Sequence, residues 1–385
     1  MFLARRINYF SHELDREVKE LYWQTVLFNL AINLTYIFEP IFLYGLGYTL
    51  IQILFYYVIV YVAYAVTIFP AAKLTGKIGF KHSILLGMIF YILYLILLYQ
   101  IKFHPILFLI APIFFALQKS FTWPPYNADV AIHNLKDQRG REVGVLFSLI
   151  EVACIIGPML GGFVLYQFGF PMLFTLASVI LLASVYPLFR SPEIYSRHEF
   201  RFKNFMDILR RYPRNFFAYW GYAEDLMLMS LWPLFMFFAL PEVFSIGTIV
   251  TVASLIAIMV MLYLGKLFDN SKKLLLLPIG AVFYALSWQF RFLAQGVGAV
   301  IGFDIATRIG KAMVNVPLLA ITFSIAGQKT QDFAIAYAVF FEFSLAIGKI
   351  VTALLAIWIL MLSGSIPLVF LAVGIMTFLY GLLKK

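Results

Sequence analysis

The chain has 385 residues, of which 63% are hydrophobic and only 12% charged, with a formal net charge of +10. A soluble domain carries about 25% charged residues, and a soluble fold of this length would leave a large apolar surface in water with too few charges to keep it dispersed. The composition therefore excludes a soluble protein and predicts an all-α integral membrane protein, with its basic residues in loops between spans rather than on a nucleic-acid-binding face.

Residues 1–21 mix Arg5, Arg6, Arg16 and Lys19 with Glu13, Asp15, Glu17 and Glu20, and lack the apolar stretch of a signal peptide. This segment reads as a cytoplasmic, amphipathic N-terminal piece lying against the membrane. Twelve transmembrane helices follow, at 22–45, 50–72, 83–101, 105–128, 144–168, 170–189, 215–240, 243–265, 274–293, 296–326, 333–361 and 364–383. Stretches 83–101, 172–189 and 366–383 carry no charge and approach the roughly 20 apolar residues that a bilayer crossing needs. Spans four and ten contain internal proline and are expected to bend. The polar stretch 190–214 reads as a cytoplasmic linker. It separates an N-terminal six-helix bundle, 22–189, from a C-terminal one, 215–385. The single cysteine, Cys154, falls inside span five; it has no partner for a disulfide and reads as a small packing residue.

Positive charge sets the orientation. With both termini cytoplasmic, 23 of the 29 lysines and arginines fall in cytoplasmic segments and only Lys102 falls in an outer loop. An internal repeat supports the two-bundle division. Lys119 precedes Pro125 in span four as Lys311 precedes Pro317 in span ten. Glu151 precedes Gly157 in span five as Glu342 precedes Gly348 in span eleven.

Charges inside a bilayer cost several kcal/mol and face a cavity or a partner. The acids within spans are Glu39, Glu151, Glu224, Asp225, Asp304 and Glu342; the bases are Lys119, Arg291, Arg308, Lys311 and Lys349. Spans two, three, six, eight and twelve carry none, which leaves them free to face lipid. Glu39, before Pro40 in span one, and Glu224 with Asp225 in span seven are candidates for proton coupling or substrate binding. The plain reading of each is a carboxylic acid satisfied by neighbouring helices. Adjacent residues point about 100° apart on a helix, so Glu224 and Asp225 need not face one cavity. Asp304, Arg308 and Lys311 share a face of span ten, with Asp304–Arg308 spaced as a local ion pair. Lys119 with Glu151, and Lys311 with Glu342, read as duplicated structural ion pairs; binding of an anionic group is the other reading for these bases. Lys349 has no evident partner in the sequence.

Two motifs carry a family resemblance. In the loop between spans two and three, Lys77, Gly79 and Lys81 match the pattern G-x-x-x-D-[RK]-x-G-x-[RK]-[RK], whereas Ala72, Gly76 and His82 depart from it. The loop between spans eight and nine offers Gly265, Asp269, Lys272 and Lys273. Gly144, Gly157, Pro158, Gly161 and Gly162 in span five follow the run G-x8-G-x3-G-P-x2-G-G, with Ala153 at the remaining position. Small residues of this kind also make a packing face. On these motifs, twelve spans and a central linker, the chain resembles the major facilitator superfamily, including its drug–proton antiporter branch.

That resemblance implies two pseudo-symmetric six-helix bundles around a central cavity lined by spans one, four, seven and ten. It places Glu39, Lys119, Glu224, Asp225, Arg308 and Lys311 at the cavity and Glu151, Asp304, Glu342 and Lys349 in a buried charge network. The basic loops become gates and the span-five run a site of helix bending. The aromatic residues Phe38, Trp123, Tyr126, Trp220, Tyr222 and Trp232 are candidates for its apolar lining, with ordinary packing as the commoner role. The function implied is secondary active transport of a small molecule by alternating access in the cytoplasmic membrane, coupled to protons, with efflux of amphipathic compounds as the leading form. The alternatives are uptake of a small organic anion and a non-transporting sensor on the same fold. The expected partners are a small-molecule substrate, protons and the lipid bilayer, with the protein a monomer and no nucleic acid involved. No catalytic, metal-binding or cofactor-binding motif is present in the sequence, so no enzyme activity, metal or cofactor is expected.

Overall fold

Long apolar segments in a bilayer must satisfy their backbone polar groups internally, which leaves the helix as their structure. The computed structural model describes residues 16–133, 140–188, 199–240, 243–267, 276–294, 296–328 and 330–384; side chains are described over 23–132, 152–187, 199–240, 245–259, 277–294, 296–315, 317–328 and 330–384. Asp269, Lys272 and Lys273 lie outside the described residues. Of Gly144, Glu151 and Gly265 only the helical backbone is described.

The described helices make the twelve passes. Span one comprises Arg16–Thr35 and Glu39–Gly45, so its helix starts within the predicted N-terminal segment. Span two is Leu50–Ile78, span three Phe80–Gln100 and span four Leu107–His133. Spans five and six form the run Gly140–Leu188, divided at Gly169, where φ is 76°. Span seven is assembled from Pro213–Tyr219, Trp220–Glu224, Asp225–Met229 and Leu231–Ala239. Val243–Leu267 is span eight, Leu276–Gln289 with Phe290–Leu293 span nine, and Val297–Ala326 span ten. Gln331–Ser363 is span eleven, and Ile366–Thr377 with Phe378–Leu382 span twelve. The predicted loop between spans two and three reduces to one hinge residue, Gly79, whose φ of 88° favours glycine.

Spans one and seven are both broken within their length. Span one interrupts its helix after Thr35 and resumes at Glu39, with Pro40 in its first turn. Span seven passes through a 3-10 turn, Trp220–Glu224, and resumes as α-helix at Asp225. It breaks again at Ser230, where φ is −118° and ψ −74°. The Ser230 hydroxyl donates to the Leu226 carbonyl at 2.6 Å, and Pro233 has no N–H for the carbonyl four residues earlier. The sequence predicts an unbroken span seven; the local chemistry of Ser230 and Pro233 explains the departure.

The predicted polar linker also contains structure. Phe202–Arg211 is an amphipathic helix, and its Phe205 packs 5.1 Å from Phe69 of span two and 5.5 Å from Phe343 of span eleven. One ring thereby touches both bundles. Many basic residues mask this apolar face in the composition of the linker.

Between the bundles, span two packs on span eleven and span five on span eight. Glycines set how close these helices come. A Cβ at Gly247 would lie 2.2 Å from the Pro158 carbonyl oxygen, across the bundle boundary. Within the first bundle, one at Gly161 would lie 2.2 Å from the Leu34 carbonyl oxygen, and one at Gly157 2.6 Å from the Asn33 Cβ. Gly348 repeats this in the second bundle, packing against Trp220 of span seven. The span-five run is thus a packing face against span one as well as a Gly-Pro site. Gly161→Ala is expected to destabilise the solubilised protein by about 1–3 kcal/mol through overpacking, read as a lower midpoint of thermal unfolding. Gly45→Ala, where nothing lies within 4 Å, carries no such clash and serves as the control.

Candidate functional site

The break in span one places Glu39 at the head of a new helical turn, where unpaired backbone N–H groups favour a carboxylate. Its side chain is fully buried. Tyr91 donates to one oxygen at 3.2 Å and Tyr94 to the other at 2.8 Å, both from span three. In span seven Glu224 is the last residue of the 3-10 turn, directly before the α-helix that starts at Asp225, and is also fully buried. Tyr284 of span nine donates to it at 3.0 Å, and Tyr380 of span twelve approaches both oxygens at 3.4 and 3.5 Å. Each half therefore holds a glutamate in a cage of neutral hydroxyl donors.

Asp225 faces away from Glu224, as the helical rotation requires. One of its oxygens bonds Lys311 of span ten; the other takes Lys349 of span eleven at 2.9 Å. Lys349 also donates to the Tyr61 hydroxyl of span two at 3.3 Å. The Tyr222 ring lies 5.0 Å from the Lys311 ammonium and 5.7 Å from that of Lys349. A single carboxylate thus pairs with two lysines and, through Lys349 and Tyr61, reaches the first bundle.

Glu342 forms a second link between the bundles. It accepts from Tyr64 of span two at 2.9 Å and from Asn127 of span four at 2.7 Å. The expected Lys311–Glu342 pair does not form: Lys311 is held on Asp225, and Glu342 turns toward the first bundle. The expected Lys119–Glu151 pair lies outside the described side chains. Lys119 stands 4.4 Å from the Phe115 ring and 5.7 Å from that of Tyr61. Lys349, unmatched in the sequence, gains its partner only through the fold.

Toward the other end of spans seven, nine and ten, Asp304 accepts from Arg308 at 2.7 Å and from the Trp232 indole at 2.8 Å. The buried Arg291 guanidinium is sandwiched 3.7 Å from the ring of Trp232 and 4.0 Å from that of Trp288. Trp232 therefore serves a charge cluster rather than a bare apolar lining. Phe38 and Trp220 pack against Gly161 and Gly348, and Trp123 packs on Phe28 and Tyr126. Of the six aromatic candidates, Tyr222 faces the lysine cluster. Asn33 donates to the Cys154 sulfur at 3.3 Å, joining spans one and five. In the hinge between spans two and three, Lys77 is exposed and Lys81 half-buried.

Sequence reasoning missed the tyrosines. Spans two, three and twelve carry no charge within their apolar stretches and read as free to face lipid, yet they supply Tyr61, Tyr64, Tyr91, Tyr94 and Tyr380 to charged groups. A neutral hydroxyl satisfies a carboxylate without announcing itself as a charge. The signal was the spacing of Tyr57, Tyr61 and Tyr64, and of Tyr91 and Tyr94, each set on one helical face.

Twelve helices in two bundles, with broken spans presenting a buried carboxylate in each half, form the architecture of secondary transporters. The chain belongs to the major facilitator superfamily, whose family model matches residues 21–241, more than half of its length. It is 29% identical over 218 residues to multidrug resistance protein 2 of Bacillus subtilis strain 168, a match covering 52% of this chain and 54% of that protein. The chain thus spans about half the length of this curated relative. In fold it is similar to the crystal structure of a fucose:proton symporter from E. coli, with a TM-score of 0.66 and 16% identity over 96% of this chain and 98% of that one. A major facilitator superfamily transporter solved in the outward conformation gives a TM-score of 0.64 at 16% identity, over 96% of this chain and 99% of that one.

Asp225→Asn would leave Lys311 and Lys349 together without their counter-charge. Removing one partner of a buried ion pair costs about 3–5 kcal/mol, so a marked fall in the thermal midpoint of the solubilised protein is expected. Adding Lys349→Met should restore part of that loss, because one of the two stranded charges is then gone.

Proposed function

We propose that this protein is a proton-coupled secondary transporter that exports amphipathic compounds by alternating access, with Glu39 and Glu224 as its protonatable carboxylates. The observation that carries the reading is the duplicated cage. Both acids are buried, both lie at broken spans, and both are held by tyrosine hydroxyls rather than by cations. A carboxyl in such a cage remains hydrogen-bonded whether or not it holds a proton, because a hydroxyl both donates and accepts. Asp225 differs: protonating it would strand Lys311 and Lys349, so it acts as a structural counter-ion.

Alternation would proceed at the contacts between the bundles. Glu342 on Tyr64 and Asn127, and Lys349 on Tyr61, are polar links that separate and re-form as the halves rock. The span-five Gly-Pro run and the relative described as a multidrug resistance protein favour export. The basic loops favour a cytoplasmic membrane location with both termini inside, and the protein would work as a monomer.

The test uses everted membrane vesicles, energised and loaded with a pH-sensitive dye. Compounds that the wild type exports are expected to release protons from these vesicles. Glu39→Gln and Glu224→Gln should each reduce that release at least ten-fold, while the solubilised variants elute as the wild type does. Proton release unchanged in both variants would overturn the assignment of these two acids.

A further inference from the structure

The repeat gives each bundle one lysine at a matched place, Lys119 in span four and Lys311 in span ten, but their surroundings differ. Lys311 is neutralised by Asp225. Lys119 is nine-tenths buried, and among the described residues it has no acceptor at ion-pair distance. Its ammonium stands against two rings, Phe115 at 4.4 Å and Tyr61 at 5.7 Å. Ring faces attract a cation but leave its N–H donors without acceptors. The nearby carboxylates are already hydrogen-bonded elsewhere, Glu39 to Tyr91 and Tyr94, and Glu342 to Tyr64 and Asn127.

Lys119 is not isolated among the charges. The Tyr61 ring that it faces also lies 5.0 Å from the Lys349 ammonium, and Lys349 meets Lys311 across Asp225. Tyr61 and Asp225 thus string three ammonium groups together where the two bundles meet. A buried ammonium group with no acceptor among the described residues is a seat for the head of an anion. The apolar neighbours define the rest of the ligand. Phe115 stacks on Tyr94 at 4.6 Å with the rings 12° from parallel, and Tyr94 donates to Glu39. A ligand head on Lys119 therefore sits one ring away from the carboxylate proposed to carry the proton.

We infer that the substrate class is an amphipathic organic anion, with a carboxylate or sulfonate head accepting from Lys119 and an apolar body lying against Phe115 and Tyr61. This rests on the transport reading above and narrows its substrate. It sets the protein apart from a transporter of cationic amphiphiles, whose charged head Lys119 would repel.

The experiment measures binding by isothermal calorimetry to the full-length protein in nanodiscs. Four probes of similar size are used: benzoate, benzenesulfonate, neutral benzamide and cationic phenyltrimethylammonium. Benzoate or benzenesulfonate is expected to bind saturably, and both benzamide and phenyltrimethylammonium at least ten-fold more weakly. Lys119→Met should weaken binding of the anion at least ten-fold, whereas Lys119→Arg should retain most of it, which separates a lost charge from a lost fold. Binding of the cation or the amide as tight as that of the anions would overturn the inference. So would unchanged anion binding by Lys119→Met, or no saturable binding of either anion. Failure of the proton reading then appears as unchanged proton release in the vesicles, and failure of this inference as the wrong probe in the calorimeter.

Discussion

Everything in the interior of this protein depends on how ionised and polar groups are satisfied where water is scarce. The bond set around Asp225 shows the constraint most sharply. Two lysines from different helices share its two oxygens, and one of them also reaches a tyrosine of the opposite bundle. Removing the carboxylate would leave two buried cations, and removing the cations would leave a buried anion. The group therefore holds spans seven, ten and eleven in one arrangement and fixes where the second bundle meets the first.

Around that fixed point the two bundles repeat a softer arrangement. Glu39 and Glu224 sit where helices restart, in cages of tyrosine hydroxyls. Gly157 and Gly348 draw spans five and eleven close to spans one and seven. The duplication thus covers both the acids and the packing that holds their helices. It fails in two informative places. Among the described residues Lys119 has no counter-ion of the kind that Lys311 has. The Arg291 guanidinium between Trp232 and Trp288 has no counterpart in the first bundle, where position 99 is a tyrosine.

The sequence made the architecture legible because a bilayer leaves few solutions. Apolar length predicts helices, alternate basic loops predict their parity, and matched Lys-Pro and Glu-Gly spacings predict two bundles. Buried charges were equally legible as candidates, since each stands out in an apolar run. Their partners were not. Asp225 with Lys349 joins residues 124 apart, and no periodicity along the chain encodes that meeting. The tyrosines escaped notice for a different reason: their hydroxyls are hidden among aromatic residues that make up 18% of the chain. The linker helix was obscured in turn by the basic residues around its apolar face. The breaks in spans one and seven had local signs in Pro40, Ser230 and Pro233, but those signs fix a place for a break and not the residue that it presents.

The central claim is that the two caged glutamates gain and lose protons while Asp225 does not. Infrared difference spectroscopy of the purified protein, titrated across pH, tests it most directly, because a protonated carboxyl has its own C=O stretch. The account predicts titrating carboxyl bands of which one disappears in Glu39→Gln and another in Glu224→Gln. Bands that persist unchanged in both variants, or no titrating carboxyl band in the wild type, would contradict it.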